Sequence, residues 1–394
     1  MVQQYLDYAK TILTSEDSDF KGGSKGAGII SLFGYQNRYD LTKGFPLVTT
    51  KQMPAKSKSM FTELLWFLKG DTSIKYLEDN GSPVWRADVF NHNLEKMADA
   101  GIFPQGMQKY SPEWNSAKGE YGQKIKNDPE FALKWGDAGP IYPKQWRRWS
   151  KFSKIPEGQE QLYVENEKGI YVPIEGRSFV EEEVDQVRNM IEGLKKKPTG
   201  KKHILTGWNV GDIGEMSLPP CHLLFQATGN ENGELKMQLY QRSCDSFLGI
   251  PFNIAQYAAL TQIIAKEAGM IPKTFTHTFG DAHFYASIGE RTKWHKKNFP
   301  ELQEKVREAV KLEENQNDRS GYLDVKNWIE KNAPDIGKEK EYDHITGILE
   351  RLSREPKGLC DLEIADKPFE KLELDDFEIK GYESHPRIKR EMMV

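Results

Sequence analysis

The sequence predicts one α+β domain over all 394 residues. Strand-like apolar runs fill the stretch from His203 to Asp245, and Asn232-Gly233 within it is a typical hairpin turn. Segments with helical periodicity lie on both sides of this stretch, as in an α+β fold. Two stretches of different composition, at about 91–135 and 288–352, interrupt the pattern, and we interpret them as insertions into the core.

The individual elements follow from periodicity and from the residues that end them. Gly70 stops a helix that begins near Ser57, and Asp71-Thr72 is predicted to cap the next helix. The predicted elements are, in order, a helix over 5–13, a strand over 29–41, a helix over 57–68, a helix with Val184, Val187, Ile191 and Leu194 on one face, strands over 203–245 and a helix over 253–268. The first insertion is rich in Gly, Asn and Lys. The second is highly charged and predicts amphipathic helices, because Leu302, Val306 and Val310 recur every fourth residue.

Composition and charge argue against several classes of protein. The net charge is −4 and the pI is about 6.1, so the chain lacks the overall positive charge that attracts nucleic acids. No apolar run approaches the roughly 20 residues of a transmembrane helix, and the N-terminus lacks the basic region of a signal peptide. The three cysteines, Cys221, Cys244 and Cys360, form no CxxC pair. We therefore expect a cytoplasmic protein without a disulfide framework or a zinc site.

The clearest chemical signal surrounds Cys221. It follows Pro219-Pro220 at the start of an apolar run, so a stiff backbone holds it where a strand begins. His222 is adjacent, but successive side chains of a strand point to opposite faces, so a Cys–His dyad is not expected. Arg242, on the predicted partner strand, is the cation that would lower the pKa of the thiol. An inert buried cysteine is the alternative, but Pro219-Pro220 and Arg242-Ser243 favour a nucleophile.

Other candidates each allow two interpretations. Glu63 lies within an apolar helix and is either a buried proton donor or a surface glutamate. Lys201 and Lys202 leave a turn before a strand and are either phosphate ligands or a solvated charge pair, and spacing alone favours the pair. His283 and Tyr285 share one strand face, where they either bind a sugar hydroxyl or form a half-buried surface. Aromatic residues that either stack on a flat ligand or form core are Trp85, Tyr142 and Trp146.

Together these segments resemble the thymidylate synthase family. The motifs that carry the resemblance are Phe45-Pro-Leu-Val-Thr-Thr-Lys51, Glu63-Leu-Leu-Trp-Phe-Leu-Lys-Gly-Asp-Thr72, Gly139-Pro-Ile-Tyr142, Gln145-Trp-Arg147, Trp208-Asn209, Leu218-Pro-Pro-Cys-His222, the segment from Gln238 to Tyr257, Gly280-Asp-Ala-His283 and the segment from Phe377 to Val394. They follow the family order from one end of the chain to the other and omit the two insertions. Chance similarity is therefore not a serious alternative.

The resemblance implies a homodimer of α+β subunits, each with a mixed β-sheet and flanking helices. It implies transfer of a one-carbon unit from the cosubstrate 5,10-methylenetetrahydrofolate to C5 of dUMP, without a metal. Carried over by position, Cys221 would attack C6 of the base and make C5 a carbon nucleophile. Asn253 would pair with the O4/N3 edge of uracil, because an amide donates to O4 and accepts from N3–H.

The remaining roles are also carried over from the family by position. Glu63 and His222 would order the waters that move protons, Tyr142 would help to remove the proton at C5, and Asp245 would bind the pterin ring. The residues expected around the folate, besides Asp245, are Lys51, Trp85, Leu248, Gly249, Phe252 and Met393. Those expected to bind the phosphate and the sugar are Arg242, Ser243, His283 and Tyr285, with Lys25 of the Gly-rich loop and with Lys201 and Lys202 reaching across the dimer.

The chain departs from the family pattern mainly on the folate side. Lysines replace the family's arginine pair at Lys201-Lys202, so a point charge replaces a bidentate fork. The other departures are Ser24 for an arginine, Pro54 for a histidine, Pro143 for a glycine and Met393 for a small residue. From these changes and the insertions we favour a deoxyuridylate hydroxymethylase, as in phages that replace thymine, where water instead of hydride adds to the C5 methylene. A thymidylate synthase that makes dTMP and dihydrofolate is the first alternative. A non-catalytic binding protein on the same fold is the second.

Overall fold

The computed structural model describes residues 2–22, 26–54, 59–154, 163–165, 171–173 and 179–393. The strands are β1 (Asp19–Gly22), β2 (Gly28–Asp40), β3 (Trp149–Lys154), β4 (Tyr163–Glu165), β5 (Tyr171–Pro173), β6 (Phe179–Val184), β7 (Ile204–Thr206), β8 (His222–Gly229), β9 (Glu234–Asp245), β10 (Ile271–Tyr285), β11 (Asp361–Ile364) and β12 (Phe377–Lys380). The helices are α1 (Gln3–Thr14), α2 (Ser59–Lys69), α3 (Lys75–Asp79), α4 (Arg86–Asp99), α5 (Pro112–Asn127), α6 (Pro129–Trp135), α7 (Tyr142–Arg147), α8 (Gln186–Lys196), α9 (Gly249–Glu267), α10 (Gly289–Lys297), α11 (Phe299–Gln316), α12 (Ser320–Asn332) and α13 (His344–Leu352).

A six-stranded mixed sheet, in the order β1-β2-β10-β9-β8-β7, forms the centre of the fold. β9 and β10 run parallel, because α9 carries the chain back between them, and the other neighbours are antiparallel. The predicted hairpin joins β8 to β9, and Gly233 in its turn has a φ of +72°. The mixed α+β fold expected from the sequence is therefore confirmed.

The two faces of the sheet differ. Helix α9 packs against β9 and β10, and α1 packs against β2, so the inward residues of these strands belong to the main core. On the opposite face, side chains such as Leu224 and Gln238 are exposed, and Phe33 is 74 % exposed. In the described part of the chain this second face of the sheet is open.

Local capping explains where several helices begin. Helix α9 starts at Gly249, four residues before the predicted start, and the Asp245 carboxylate accepts the N–H groups of Phe247 and Leu248 in the turn that precedes it. The prediction that Asp71-Thr72 caps a helix is wrong. Asp71 accepts the N–H of Ser73 instead, and α3 begins only at Lys75. Helix α8 is capped by Asp185, so Val184 belongs to β6 and not to the helical face.

Both predicted insertions are helical and contribute to the main core. The first contains α5, α6 and most of α4, although its composition did not predict helices. Trp114 and Tyr121 of α5 are buried in the main core. The second contains α10 to α13, and its Leu302 and Val306 are buried on one face of α11, as their spacing predicts. That these stretches are insertions stays a prediction. Among the described helices, none is both long and apolar enough to cross a bilayer.

Candidate active site

The accessible thiol of the chain lies directly before β8. Cys221 is partly exposed, whereas Cys244 and Cys360 are buried. Burial raises the pKa of Cys244 well above its usual range and that of Cys360 to about 11, so neither supplies a thiolate readily. Among the three cysteines, Cys221 is the one that a substrate can reach.

The backbone on either side of this thiol is held by Tyr142 and Arg242. The Tyr142 hydroxyl, at the first turn of α7, accepts the N–H of Cys221 at 2.5 Å. The Arg242 guanidinium donates to the carbonyl oxygens of Pro220 and Pro219, at 2.9 and 2.7 Å, and the Arg242 N–H donates to the Cys221 carbonyl at 2.8 Å. The predicted pairing of Arg242 with the strand start at Cys221 is thus present, with the cation beside the two prolines.

His222 is buried in the core side of the same strand. Its ring packs against Tyr142 and Tyr257, with centroid distances of 5.3 and 5.1 Å. Burial lowers the pKa of His222 to about 4, so its imidazole is neutral at pH 7. It can therefore accept or donate a hydrogen bond, but it carries no charge that would stabilise a thiolate.

Glu63 lies at one end of a line of hydrogen-bonded polar side chains. Its two carboxylate oxygens accept from Trp85 Nε1 and Gln256 Nε2, both at 2.6 Å. Asn253 Nδ2 donates to Gln256 Oε1 at 3.2 Å, and Gln241 Nε2 donates to Asn253 Oδ1 at 3.1 Å. Burial raises the pKa of Glu63, whereas its hydrogen bonds with Gln256 and Trp85 favour the ionised form. The structure thus brings together Glu63, Asn253 and Trp85, which the sequence had selected separately.

A second polar group forms at the end of β10. The rings of His283 and Tyr285 meet edge-on at 5.1 Å, as their shared strand face predicts. His283 Nδ1 lies 3.1 Å from the carbonyl oxygen of Asp281, whose carboxylate also accepts from Lys21 Nζ at 3.2 Å. Burial works against ionisation of Asp281, but His283 and Lys21 are among the groups that hold its pKa at about 2.

A cavity of about 780 Å³ is lined by several of the residues expected at the folate. They are Lys51, Leu248 and Phe252, together with Pro54. Burial lowers the pKa of Lys51 well below its usual range, and Lys51 Nζ lies 5.2 Å from the centre of the Phe247 ring. A cavity of this size, with an apolar lining and a few charged groups, suits a flat organic ligand.

The other residues expected at the folate are not among those that line this cavity. Burial opposes ionisation of Asp245, but the His344 imidazole, whose Nδ1 lies 3.7 Å from the carboxylate, and the N–H of Leu248 hold its pKa well below the usual range. Gly249 is the first residue of α9 and adjoins the Asp245 and Asn253 side chains. Met393 is buried in a small separate cluster with neighbours such as Tyr285.

The lysines expected at the phosphate are not brought to this site within one chain. Lys201 and Lys202 are exposed on the turn before β7. In the described part of the chain, no hydrogen bond or ion pair joins them to Arg242 or Ser243. Lys25 lies outside the described residues, as does Ser24.

Comparison with known proteins decides the family. The sequence model of the family described as thymidylate synthase matches residues 3–394. The chain belongs to the thymidylate synthase family. It is 33 % identical over 395 residues to a thymidylate synthase of Mesoplasma florum, and the alignment covers 100 % of both chains. It is 34 % identical over 402 residues to one of Listeria monocytogenes and over 403 residues to one of Listeria innocua, again with 100 % of both chains covered.

Family membership confirms the resemblance seen in the sequence. The protein is a one-carbon transferase that acts at C5 of a pyrimidine nucleotide, with methylenetetrahydrofolate as its cosubstrate. Among the described residues, no group of three or more His, Cys, Asp or Glu side chains is suited to a metal ion. Members of this family can release different products, and the product depends on how well the site excludes water.

The sequence did not point to three members of the line of hydrogen-bonded side chains that begins at Glu63. Gln256, Gln241 and His277 are all buried, and the His277 imidazole continues the line through Gln241 Oε1 at 2.9 Å. A signal was available for Gln256, because it follows Asn253 by three residues and so shares its helix face. No comparable signal existed for His277, which reaches Gln241 only through the pairing of β9 with β10.

Proposed function

We propose that this protein is a thymidylate synthase that converts dUMP and 5,10-methylenetetrahydrofolate to dTMP and dihydrofolate. In this reaction the Cys221 thiolate adds to C6, and C5 then attacks the methylene carbon of the folate. Loss of the C5 proton and of tetrahydrofolate leaves an exocyclic methylene, which takes a hydride from tetrahydrofolate as Cys221 leaves. The relatives that carry the name thymidylate synthase favour this product over the 5-hydroxymethyl-dUMP that we favoured from the sequence.

The observation that carries the proposal is the docking of the C-terminal tail. Arg390 Nε donates to the carbonyl oxygen of Asp343 at 2.7 Å, and the Glu391 N–H donates to the carbonyl oxygen of Glu341 at 2.8 Å. His344 Nε2 lies 2.9 Å from the Glu391 carbonyl oxygen. The tail is therefore held by hydrogen bonds to Glu341, Asp343 and His344, at the start of α13. A tail held in this way excludes water from the C5 methylene until hydride arrives.

Met393, one of the departures that favoured the hydroxymethylase, has a buried side chain. Met393 is 3 % exposed and packs with Ala27, Ile29 and Tyr285. The larger side chain therefore adds apolar contact to the docked tail, which favours closure. We assign the same site residues as the family pattern: Arg242 and Ser243 for the phosphate, His283 and Tyr285 for the sugar, Asn253 for the base, Asp245 for the pterin and Glu63 with Tyr142 for proton transfer.

A dimer with a shared phosphate site completes the proposal. The open face of the sheet, which includes Phe33 and Leu224, is the surface through which two subunits would meet. Lys201 and Lys202 are exposed, so they can reach the Arg242 phosphate site of a second subunit. Members of the family are typically dimers, and the sharing of lysines across the dimer is our proposal for this chain.

The hydroxymethylase remains the second candidate because of one observation. Pro54, where the family has a histidine, lines the folate cavity and has no N–H group to donate to a ligand. Turnover of dUMP and methylenetetrahydrofolate in oxygen-18 water separates the two products. We expect unlabelled dTMP with one dihydrofolate per nucleotide. Labelled 5-hydroxymethyl-dUMP without dihydrofolate would instead support the hydroxymethylase, and absence of a covalent complex with 5-fluoro-dUMP and folate would support a non-catalytic protein.

A further inference from the structure

We infer that Gln256 is a positioning residue that sets the pyrimidine selectivity of this enzyme by fixing the orientation of the Asn253 side-chain amide. The inference rests on the proposed function in one respect, the recognition of the base by Asn253. It concerns how Asn253 is held, and it does not depend on which product the enzyme releases.

The direction of the hydrogen bonds follows from the Glu63 carboxylate. An ionised carboxylate accepts hydrogen bonds and donates none. One oxygen of Glu63 already accepts from Trp85 Nε1, and the other lies 2.6 Å from the end of the Gln256 side chain. That end of Gln256 must therefore be its NH₂ group, which leaves the Gln256 carbonyl oxygen pointing toward Asn253.

The same argument propagates along the line. The carbonyl oxygen of Gln256 can only accept, so the NH₂ group of Asn253 faces it at 3.2 Å. Asn253 Oδ1 then faces the NH₂ group of Gln241 at 3.1 Å. Gln241 Oε1 in turn faces His277 Nε2 at 2.9 Å, which requires the Nε2–H tautomer of His277. Each donor thus points toward Glu63, and a single inverted amide would place two like groups in contact.

Burial makes this order costly to reverse. Gln256 is 2 % exposed, and Gln241, Asn253 and His277 are buried as well. An inverted amide would leave a donor facing a donor in a place that water does not reach. Unsatisfied buried polar groups of this kind shift an equilibrium by about 10-fold or more. Gln256 therefore holds the NH₂ side of Asn253, while Gln241, whose NH₂ group also donates to the Ser243 carbonyl oxygen at 3.0 Å, holds the Oδ1 side.

The orientation of Asn253 matters because uracil and cytosine present opposite patterns. Uracil offers an acceptor at O4 and a donor at N3–H, whereas cytosine offers a donor at N4 and an acceptor at N3. An amide that turns freely matches both bases, since each orientation satisfies one of them. An amide fixed from behind matches one base and leaves the other with unpaired groups. Selectivity then depends on Gln256 as well as on Asn253.

The experiment measures the dissociation constants of dUMP and dCMP by calorimetry, without folate. Gln256→Met keeps the volume of the side chain and removes both of its hydrogen bonds. We expect the preference of the wild type for dUMP over dCMP to fall about 10-fold in this variant. The control is Gln145→Met, because Gln145 is also buried and donates to Pro140 and Asp212, outside the line. It should lose stability and retain the wild-type preference.

Gln256→Glu supplies a second test that does not depend on the methionine variant folding. When it is protonated, the introduced carboxyl group can donate to Glu63 and accept from Asn253, so it reproduces the glutamine. When it is ionised, it repels Glu63. We expect the preference for dUMP to approach the wild-type value as the pH is lowered and to fall as the pH is raised. A wild-type preference in Gln256→Met, or a preference in Gln256→Glu that rises as the pH is raised, would overturn the inference alone. A wild type without any preference for dUMP would overturn the proposed substrate and this inference together.

Discussion

The phenolic oxygen of Tyr142 accepts the backbone N–H groups of both Cys221 and His222, at 2.5 and 3.2 Å. The hydroxyl therefore holds the backbone at the point where Cys221 meets strand β8. Burial also raises the pKa of Tyr142 well above its usual range, so the group stays a neutral phenol with a proton to donate.

This contact predicts the effect of Tyr142→Phe. Loss of the acceptor leaves two N–H groups without their partner, which should lower the free energy of unfolding by about 1–3 kcal/mol and lower kcat. Thermal denaturation and steady-state turnover measure the two effects. The control is Tyr257→Phe, because the buried Tyr257 hydroxyl has no hydrogen-bond partner among the described residues. We expect that variant to keep its stability, and equal losses in both variants would contradict the role of the Tyr142 contact.

Replacement of Cys221, the proposed nucleophile, should separate binding from turnover. Cys221→Ser is expected to lose turnover by several orders of magnitude, because a serine hydroxyl is not ionised near neutral pH, and to retain dUMP binding. Turnover assays and calorimetry measure both. Cys360→Ser is the control, since Cys360 is buried beside the Phe45 carbonyl, away from Tyr142 and Arg242. Normal turnover in Cys221→Ser would show that another group is the nucleophile.

Burial of His222 predicts a loss of stability in mild acid. Its pKa is about 4 in the folded chain and near 6.5 when unfolded, so the unfolded state binds the proton more tightly. The free energy of unfolding therefore falls as the pH drops from 6.5 toward 4, and roughly 2 kcal/mol of that loss lies between pH 7 and pH 5.

The variant His222→Asn should lose less stability over the same pH range. Urea denaturation at pH 7 and pH 5 gives the comparison, with pH 8 as the reference at which neither state of His222 is protonated. An identical pH dependence in the wild type and the variant would mean that another group accounts for the acid sensitivity.

The proposed shared phosphate site predicts complementation, at low dUMP concentration, between a subunit that lacks the thiol and a subunit with weakened phosphate binding. A double variant of Lys201 and Lys202 to methionine should raise the KM for dUMP with little change in kcat, because a contact to the phosphate is lost. In mixed dimers with Cys221→Ser, one of the two sites receives both an intact thiol and intact lysines. Mixing the two homodimers after mild dissociation should therefore restore activity. If activity stays at the level of the separate variants, each subunit binds the phosphate alone.

Much of the fold followed from local patterns in the sequence. The hairpin at Gly233, the strand of Gly28–Asp40 and the apolar helix α9 were predictable because turn residues and hydrophobic periodicity act over short distances. Where local signals misled, a side chain nearby had taken a different partner. Asp71 binds Ser73 instead of capping a helix, and Asp245 binds the N–H groups of the turn before α9, which begins earlier than the apolar pattern indicated.

For the candidate site, the sequence by itself determined the chemical groups: a thiol after two prolines, a cation on the partner strand, and the motifs that identify the family. Only the tertiary structure decided how those groups are oriented and enclosed. The line from Glu63 to His277 joins α2, α9, β9 and β10, and the tail is held by Glu341, Asp343 and His344, so apart from the Asn253–Gln256 bond within α9 these contacts are not local. Periodicity tells which face of an element is buried. The direction of a buried hydrogen bond depends on the partner that folding brings to it.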